Sequence, residues 1–463
     1  MSPLPPAEYN GDDARESLPS KSPRKSTLTH PRHPENPLAA INLPSVILSA
    51  LHGQVPHLPT PLLPRTSSNL LLYASLQDWF VLNEHSARRG TDLFQNASPK
   101  KNLHILTNHD DAVWFLGPRR PGSSEGINDA PGKKDGMSLE GMQNYRIVSK
   151  DVLELGKAMN VDFVQSIHEG PSLGNSWFGS SADVGFENYN NDTSIRRSRK
   201  RIRKAGEKCL KLGKDFVSSV KRMEWSKGRG FLSIGGGDDV EERRRCAQDV
   251  LHVVREHPGA NLIGFVIAGL YAGETPHDRW ACIDAVVQVL TESEFDSKLR
   301  ILAGGNGAPE EVVKAVRHGI DLVEGSYPSD CADAGWVLDL KTGRKRNVRD
   351  KNWLLDKTPP VSRCQCWVCN GSSNRKGFTR AYIRHLFEVH EMLGPILLTA
   401  HNIHVYLSWV EDLQVAVRDS RFDAFELHFR NTRKQLRQEP HLFENGVAED
   451  SGLDRGAPAS SPW

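Results

Sequence analysis

Eight short apolar runs punctuate the chain: Ser45–Leu51, Leu70–Ala74, Val113–Leu116, Val161–Ile167, Gly230–Ile234, Leu262–Ala268, Leu299–Ala303 and Ile320–Val323. Several are continuous rather than alternating, as a strand reads when both of its faces are buried. Between the later runs apolar residues recur at helical spacing; Val312, Ala315, Val316 and Ile320 follow Pro309, a favoured early-helix residue. Strand, helix and parallel strand repeated about eight times favour an α/β fold closed as a (β/α)8 TIM barrel over an open doubly wound sheet. A length of 463 residues accommodates such a barrel with insertions. No repeat at solenoid periods interrupts this reading.

The flanks differ in kind. Residues 1–38 hold eight Pro among Ser, Lys and Arg with almost nothing apolar, so they cannot offset the entropy of ordering and are expected to be disordered. The same expectation holds for 436–463, while 118–140 reads as a polar insertion loop inside a barrel spanning 39–435. With 59 Lys+Arg against 57 Asp+Glu the net charge is +2, which excludes a uniformly basic nucleic-acid coat or an acidic solvating tail. No apolar run approaches the roughly 18 residues needed to span a bilayer, so no integral membrane association is expected. The first 30 residues lack a signal-peptide core, and Glu8, Asp12 and Asp13 argue against a transit peptide. A soluble, cytoplasmic protein is the expectation.

Three of the seven cysteines crowd into Cys364-x-Cys366-x2-Cys369. A secreted disulfide framework would spread and pair them, so the pattern points to a reducing compartment and a metal. Zinc takes three thiolates and one imidazole as a closed tetrahedron, a structural site with no position left for water. The fourth ligand must return from further along. A polar loop follows Cys369, then a helix is expected from near Thr379, with Ile383, Leu386, Phe387 and His390 on one stripe and Gly394-Pro395 as its stop. A second helical stretch carries His401 and His404. The candidates are therefore His385, His390, His401 and His404; the alternative is three cysteines that simply pack.

Together these residues resemble the tRNA-guanine transglycosylase family, which exchanges an anticodon guanine for queuine or a precursor. The family's Cys-x-Cys-x2-Cys, its Thr/Ser-Arg-Ala-Tyr-Ile-x-His-Leu segment and its Leu-x-x-x-His-Asn read here as CQCWVC, Thr379 to Leu386, and Leu398 to Asn402. The match implies His401 as fourth ligand of one structural zinc ion, in a zinc-binding segment over 353–410. Upstream, Ile267 to Glu274 is similar to the family's Gly-Gly-Leu-x-x-Gly-Glu strand end. Gly305-x-Gly307-Ala308-Pro309 and His318-Gly319-Ile320-Asp321 resemble the next two units. The resemblance covers roughly residues 40–435 and implies a TIM barrel with tRNA as its ligand.

The family's chemistry uses an aspartate nucleophile on the ribose carbon and a second aspartate for proton transfer. A carboxylate suits this because it can form a glycosyl ester and later leave. At the nucleophile position this chain has Glu324, one methylene longer, and the family's following Thr-Arg becomes Ser329-Asp330. A reach error of about 1 Å can cost on the order of 100-fold in rate. Without a catalytic role, Glu324 is expected to be solvated or salt-bridged at a strand end. The Asp-Ser-Gly-Gly-Phe-Gln loop has no counterpart, because Ser-Gly-Gly occurs nowhere in the chain. The base-reading aspartate aligns with His168, beside Glu169. The family's Val-Gln-Gly-Gly becomes Ser233-Ile234-Gly235-Gly236, so the amide that reads the base edge is lost. The glycines at 235–237 and 304–305 fit neither a P-loop nor a dinucleotide fingerprint and read as turns at strand ends.

Four departures at one pocket resemble the accessory, non-catalytic subunit of the eukaryotic family members, with no catalytic residue of its own. The resemblance then implies a heterodimer with a catalytic queuine tRNA-ribosyltransferase subunit, a surface on the helices around 379–410 for that partner, and peripheral association with the mitochondrial outer membrane. The alternatives are an active transglycosylase using Glu324, and a zinc-stabilised RNA-binding protein with no such partner. Two basic runs, Arg196 to Lys204 and Lys341 to Lys351, are compatible with contact to tRNA phosphates. In the first, Ile202, Ala205, Cys209, Leu212 and Phe216 form a stripe to be buried, with the charges outside it.

Overall fold

The computed structural model describes residues 22–29, 40–51, 54–58, 62–63, 70–76, 112–118, 137–138, 146–158, 161–167, 199–222, 229–260, 262–270, 274–371 and 376–438. Each apolar run overlaps a strand, four of which extend past its ends: β1 (Ser45–Ala50), β2 (Leu71–Ser75), β3 (Val113–Gly117), β4 (Phe163–Gln165), β5 (Arg229–Ile234), β6 (Leu262–Ile267), β7 (Leu299–Leu302) and β8 (Leu322–Gly325). They pair in parallel in chain order. β8 returns to β1 with Leu322 opposite Ser45 and Gly325 opposite Leu48, so the sheet closes. Crossover helices α1 (Ser149–Ala158), α2 (Arg199–Arg222), α3 (Val240–Glu256), α4 (Pro276–Thr291) and α5 (Pro309–Arg317) link the strands from β3 onward. This is the expected (β/α)8 barrel.

Strand parity divides the core in two. Ile47, Leu71, Tyr73, Phe115, Phe163, Phe231, Val266, Ile301 and Leu322 form the barrel interior. Their neighbours Val46, Leu48, Leu72, Trp114, Val164, Leu232, Phe265 and Val323 face the helices. Phe115, Phe163 and Phe231 meet with ring centroids 4.8–6.0 Å apart, and burying each contributes roughly 1.5–3 kcal/mol. Two buried faces explain why the runs read as continuous.

After β8 the chain adds α6 (Tyr327–Asp333), a hairpin of β9 (Trp336–Asp339) and β10 (Arg344–Asn347), and α7 (Trp367–Asn370). α8 (Arg380–Glu388), α9 (Leu393–Arg418) and α10 (Phe422–Gln438) follow, the last running three residues past the expected boundary. α8 stops earlier than the sequence suggests, with His390 already at φ 56°. Gly394-Pro395 does not end it but sits in the first turn of α9, where proline's missing N–H has no helical partner to lose.

Residues 22–29 lie within the stretch expected to be disordered, yet they take a defined path. Thr27–Leu28 pairs antiparallel with Ile41–Asn42, and Leu28, 5% exposed, joins the barrel interior. Arg24 Nη1 lies 2.6 Å from Asp321 Oδ2, whose side chain is buried, and also reaches the Lys298 carbonyl at 3.1 Å. A composition average over 38 residues conceals one apolar anchor and one arginine matched to a buried acid. The rest of 1–38, most of 118–140 and residues 439–463 lie outside the described residues.

Candidate metal centre and barrel mouth

The cysteine segment folds into the single turn of α7, with Cys366 as its N-cap. The Cys366 Sγ accepts a hydrogen bond from the Cys369 backbone N–H at 3.3 Å. This brings Cys366 and Cys369, both buried, beside the partly exposed Cys364. His401, fully buried on α9, directs Nδ1 to the three sulfurs at 3.8 Å from Cys364 and 3.4 Å from Cys366 and Cys369. All four donor atoms lie within 4.8 Å of one another. A tetrahedron with Zn–S near 2.3 Å and Zn–N near 2.0 Å has N···S edges of roughly 3.5 Å, so the group fits a zinc-binding site. Mutual hydrogen bonding among the sulfurs pushes the Cys364 thiol below its usual range and the Cys369 thiol above it, so the cluster shares its protons.

The support behind the histidine is equally specific. His401 Nε2 lies 2.9 Å from the Leu338 carbonyl oxygen, which makes it the protonated nitrogen and leaves the Nδ1 lone pair for the sulfurs. Asn402 accepts from Leu338 N–H at 3.0 Å and donates to the Trp336 and Pro328 carbonyls at 2.8 and 3.2 Å. β9 is thereby locked to α9. Of the four histidines open from spacing, His385 and His390 are exposed and His404, half-buried, stands outside the group. Neither Leu338 nor Asn402 was anticipated as support, though the His-Asn pair stood in the motif.

At the barrel mouth Glu324 shares the inward parity of Leu322 and is 3% exposed. Gln165, inward on β4, donates from Nε2 to Glu324 Oε1 at 2.7 Å, and the Tyr73 hydroxyl donates to Gln165 Oε1 at 3.4 Å. Gly117 makes room: a Cβ there would sit 2.1 Å from the Tyr73 hydroxyl oxygen and 2.6 Å from Gln165 Oε1. Among the described residues no cation pairs with Glu324. Burial pushes its carboxyl up to about 8, against the opposing bonds from Gln165 and the Gly304 backbone. The expectation of a solvated or salt-bridged carboxylate is therefore corrected: strand parity turns the side chain inward, where it is largely protonated at neutral pH. Gln165 was overlooked, although a polar residue ending an apolar run was visible.

Ile234 is fully buried on the outward side of β5. Ser233 spends its polar groups on Ser166, its N–H donating to Ser166 Oγ at 2.8 Å and its hydroxyl to the Ser166 carbonyl at 2.9 Å. The glycines are turns as expected, with φ of 121° and 60° at Gly236 and Gly237 after β5 and 100° at Gly304 after β7. Arg243 is fully buried, donating to the carbonyls of Gly237 at 2.7 Å, Ile234 at 3.2 Å and Ala268 at 2.7 Å, which ties β5 to the end of β6. Nothing in the run EERRR distinguishes it from its exposed neighbours. His168 and Glu169 lie outside the described residues.

The family model described as queuine tRNA-ribosyltransferase matches residues 181–435, more than half of the chain, spanning the metal centre and Glu324. The chain belongs to the queuine tRNA-ribosyltransferase family. It is 32% identical over 201 residues to the queuine tRNA-ribosyltransferase of Fusobacterium nucleatum, covering 43% of this chain and 49% of that protein. The Dictyoglomus turgidum queuine tRNA-ribosyltransferase is 32% identical over 199 residues (43% and 46%), and that of Clostridium perfringens 36% over 166 residues (36% and 40%). The chain thus spans about half the length of the curated relatives it matches.

Proposed function

We propose that this chain is the non-catalytic subunit of a heterodimeric queuine tRNA-ribosyltransferase, supporting a catalytic partner that exchanges guanine for queuine at the tRNA wobble position. The observation that carries the reading is the state of Glu324. A nucleophilic carboxylate must be ionised and free to reach a ribose carbon, whereas this one is buried, held by Gln165 and pushed up to about 8. Cys364, Cys366, Cys369 and His401 would hold one structural zinc ion. With four protein ligands no position remains for water, so the ion organises α7 to α9 rather than chemistry.

Exposed apolar side chains on that segment support a partner there: Leu355 is 84%, Met392 79%, Leu354 57% and Val389 49% exposed. Among the described residues no helix is long and apolar enough to cross a membrane. The proposed location is the cytoplasm, with any attachment to the mitochondrial outer membrane peripheral and tested by salt extraction of fractionated organelles. Base exchange measured with this chain alone, the catalytic paralogue alone and both together tests the function. Exchange only by the pair is expected. Exchange by the isolated chain that Glu324→Gln abolishes would establish the enzyme reading instead.

A further inference from the structure

The two basic runs have different surroundings. On α2, Arg203 Nε lies 3.1 Å from Glu207 Oε1 and Arg199 Nε 3.9 Å from Asp239 Oδ2. Ile202, Cys209, Leu212 and Phe216 turn inward, so the charges described on α2 stand on a solvated helix face where Arg199 and Arg203 have acidic neighbours and Lys200 and Lys204 form no ion pair among the described residues. Arginines elsewhere are also paired: Arg245 with Glu242 and Asp249, Arg255 with Glu294, Arg279 with Glu274.

The β9–β10 hairpin and its continuation are not built that way. Among the described residues Arg344, Arg346, Arg349 and Lys351 form no ion pair. The nearby acids have other work: Asp350 Oδ1 accepts from the Asn352 N–H at 2.9 Å, and Asp356 accepts from Arg380 Nη1 at 2.9 Å. The register sets Val337 opposite Arg346 and Asp339 opposite Arg344, so both arginines share one face of the hairpin. Burial lowers Arg346 from its ordinary value, and the guanidinium groups of Arg380 and Arg344 lower it further, while Asp339 and Asp350 oppose them. Asp339, opposite Arg344, is the one acid that the hairpin register puts on that face, so the arginines outnumber the carboxylate there and the excess positive charge favours an anion. The segment is also fixed in place, because Arg384 Nη1 donates to the carbonyls of Arg349 and Asp350 at 2.6 and 2.7 Å.

We infer that the β10 face carrying Arg344 and Arg346, with the following segment that bears Arg349 and Lys351, is an RNA-phosphate contact surface, and that the charged face of α2 is not. The inference rests on the proposed tRNA ligand and names the part of the chain that holds it. Guanidinium groups in a fixed frame suit phosphate oxygens, and the contact is sequence-independent.

The test uses the full chain in complex with its catalytic partner and a fluorescein-labelled tRNA transcript, with anisotropy titrations from 50 to 250 mM KCl as the chosen range. Replacing Arg344, Arg349 and Lys351 together by Gln is expected to reduce the slope of log K against log salt by about 2–3 and to weaken binding roughly 100-fold near 100 mM. Replacing Arg199, Lys200, Arg203 and Lys204 together by Gln removes more charge and is expected to change affinity less than about twofold. Restoring charge with Arg344→Lys and Arg349→Lys should recover most of the loss, which a folding defect would not allow. Equal damage from both sets, or none from the first, overturns the surface while tRNA binding by the wild-type complex upholds the functional reading. A wild-type complex without tRNA affinity overturns both. If the triple variant keeps tRNA but loses phosphatidylserine vesicles, the surface belongs to lipid and the inference fails.

Discussion

Glu324→Gln isolates a pH dependence that this fold must carry. In the unfolded chain the carboxyl titrates near 4.5, while in the barrel burial pushes it up to about 8. Between those values the folded state binds a proton that the unfolded state has lost, so stability falls as pH rises and is best retained below the unfolded pKa. The penalty grows from about 1 kcal/mol at pH 5 to about 4 kcal/mol at pH 8, because each pKa unit is worth about 1.4 kcal/mol. Glutamine keeps an oxygen for Gln165 Nε2 and has no proton to lose. Urea denaturation of both proteins at pH 5 and pH 8, with zinc held constant, should show the variant gaining about 3 kcal/mol on the wild type across that interval. Every other group titrates equally in the two proteins and cancels in the difference. A stability difference that stays flat within about 1 kcal/mol would mean that Glu324 is ionised in the folded chain, and the argument against a nucleophile would lose its basis.

Three further perturbations probe the frame. Cys366→Ser removes one thiolate and the N-cap sulfur of α7; metal content by atomic emission should fall from about one ion per chain towards zero and pairing with the catalytic partner should fall with it, retained pairing counting against a zinc-organised interface. Arg317 bonds Glu426 and Asp423 between α5 and α10, with the Arg317 and Glu426 side chains both buried. Arg317→Ala leaves Glu426 only its contact with Arg430 at 3.3 Å and should therefore cost roughly 1.5–3 kcal/mol in urea melts, and the Arg317→Met, Glu426→Leu pair should recover much of it. Arg24→Ala leaves Asp321 without its closest cation; hydrogen exchange at Thr27 and Leu28 should quicken before the barrel strands respond, and unchanged protection there would show that Leu28, the Ser26–Asp321 hydrogen bond and the strand pairing hold the segment without Arg24.

The barrel was legible because its signal is repeated. Eight apolar runs can each be misjudged at the ends, as Val161–Ile167 shows by yielding only Phe163–Gln165, without changing their number. The metal centre was legible for another reason: the cysteines are local in sequence, and only the choice among four histidines depended on tertiary geometry. What composition could not reveal were single matched contacts. Arg24 finds a buried acid nearly 300 residues away, and Arg243 disappears into backbone carbonyls from within a run of identical residues. Glu324 was legible as a position but not as a state, because its protonation depends on Gln165 across the barrel and on the exclusion of water by neighbours on every side.

The metal centre and the mouth are linked by one helix. Within six residues α9 supplies His401 to the sulfurs, Asn402 to one edge of β9, and the Tyr406 hydroxyl to the Gly307 carbonyl. Gly307 in turn packs on Gly325, where a Cβ would meet the Gly325 Cα at 3.0 Å and the Glu324 carbonyl at 3.3 Å. A closed four-ligand site fixes the rotation and height of α9, and α9 fixes the turn that presses on the end of β8. None of these contacts requires an ionised carboxylate. Under the proposed accessory role, the four-ligand site, the helix and the hairpin can be kept while Glu324 is buried.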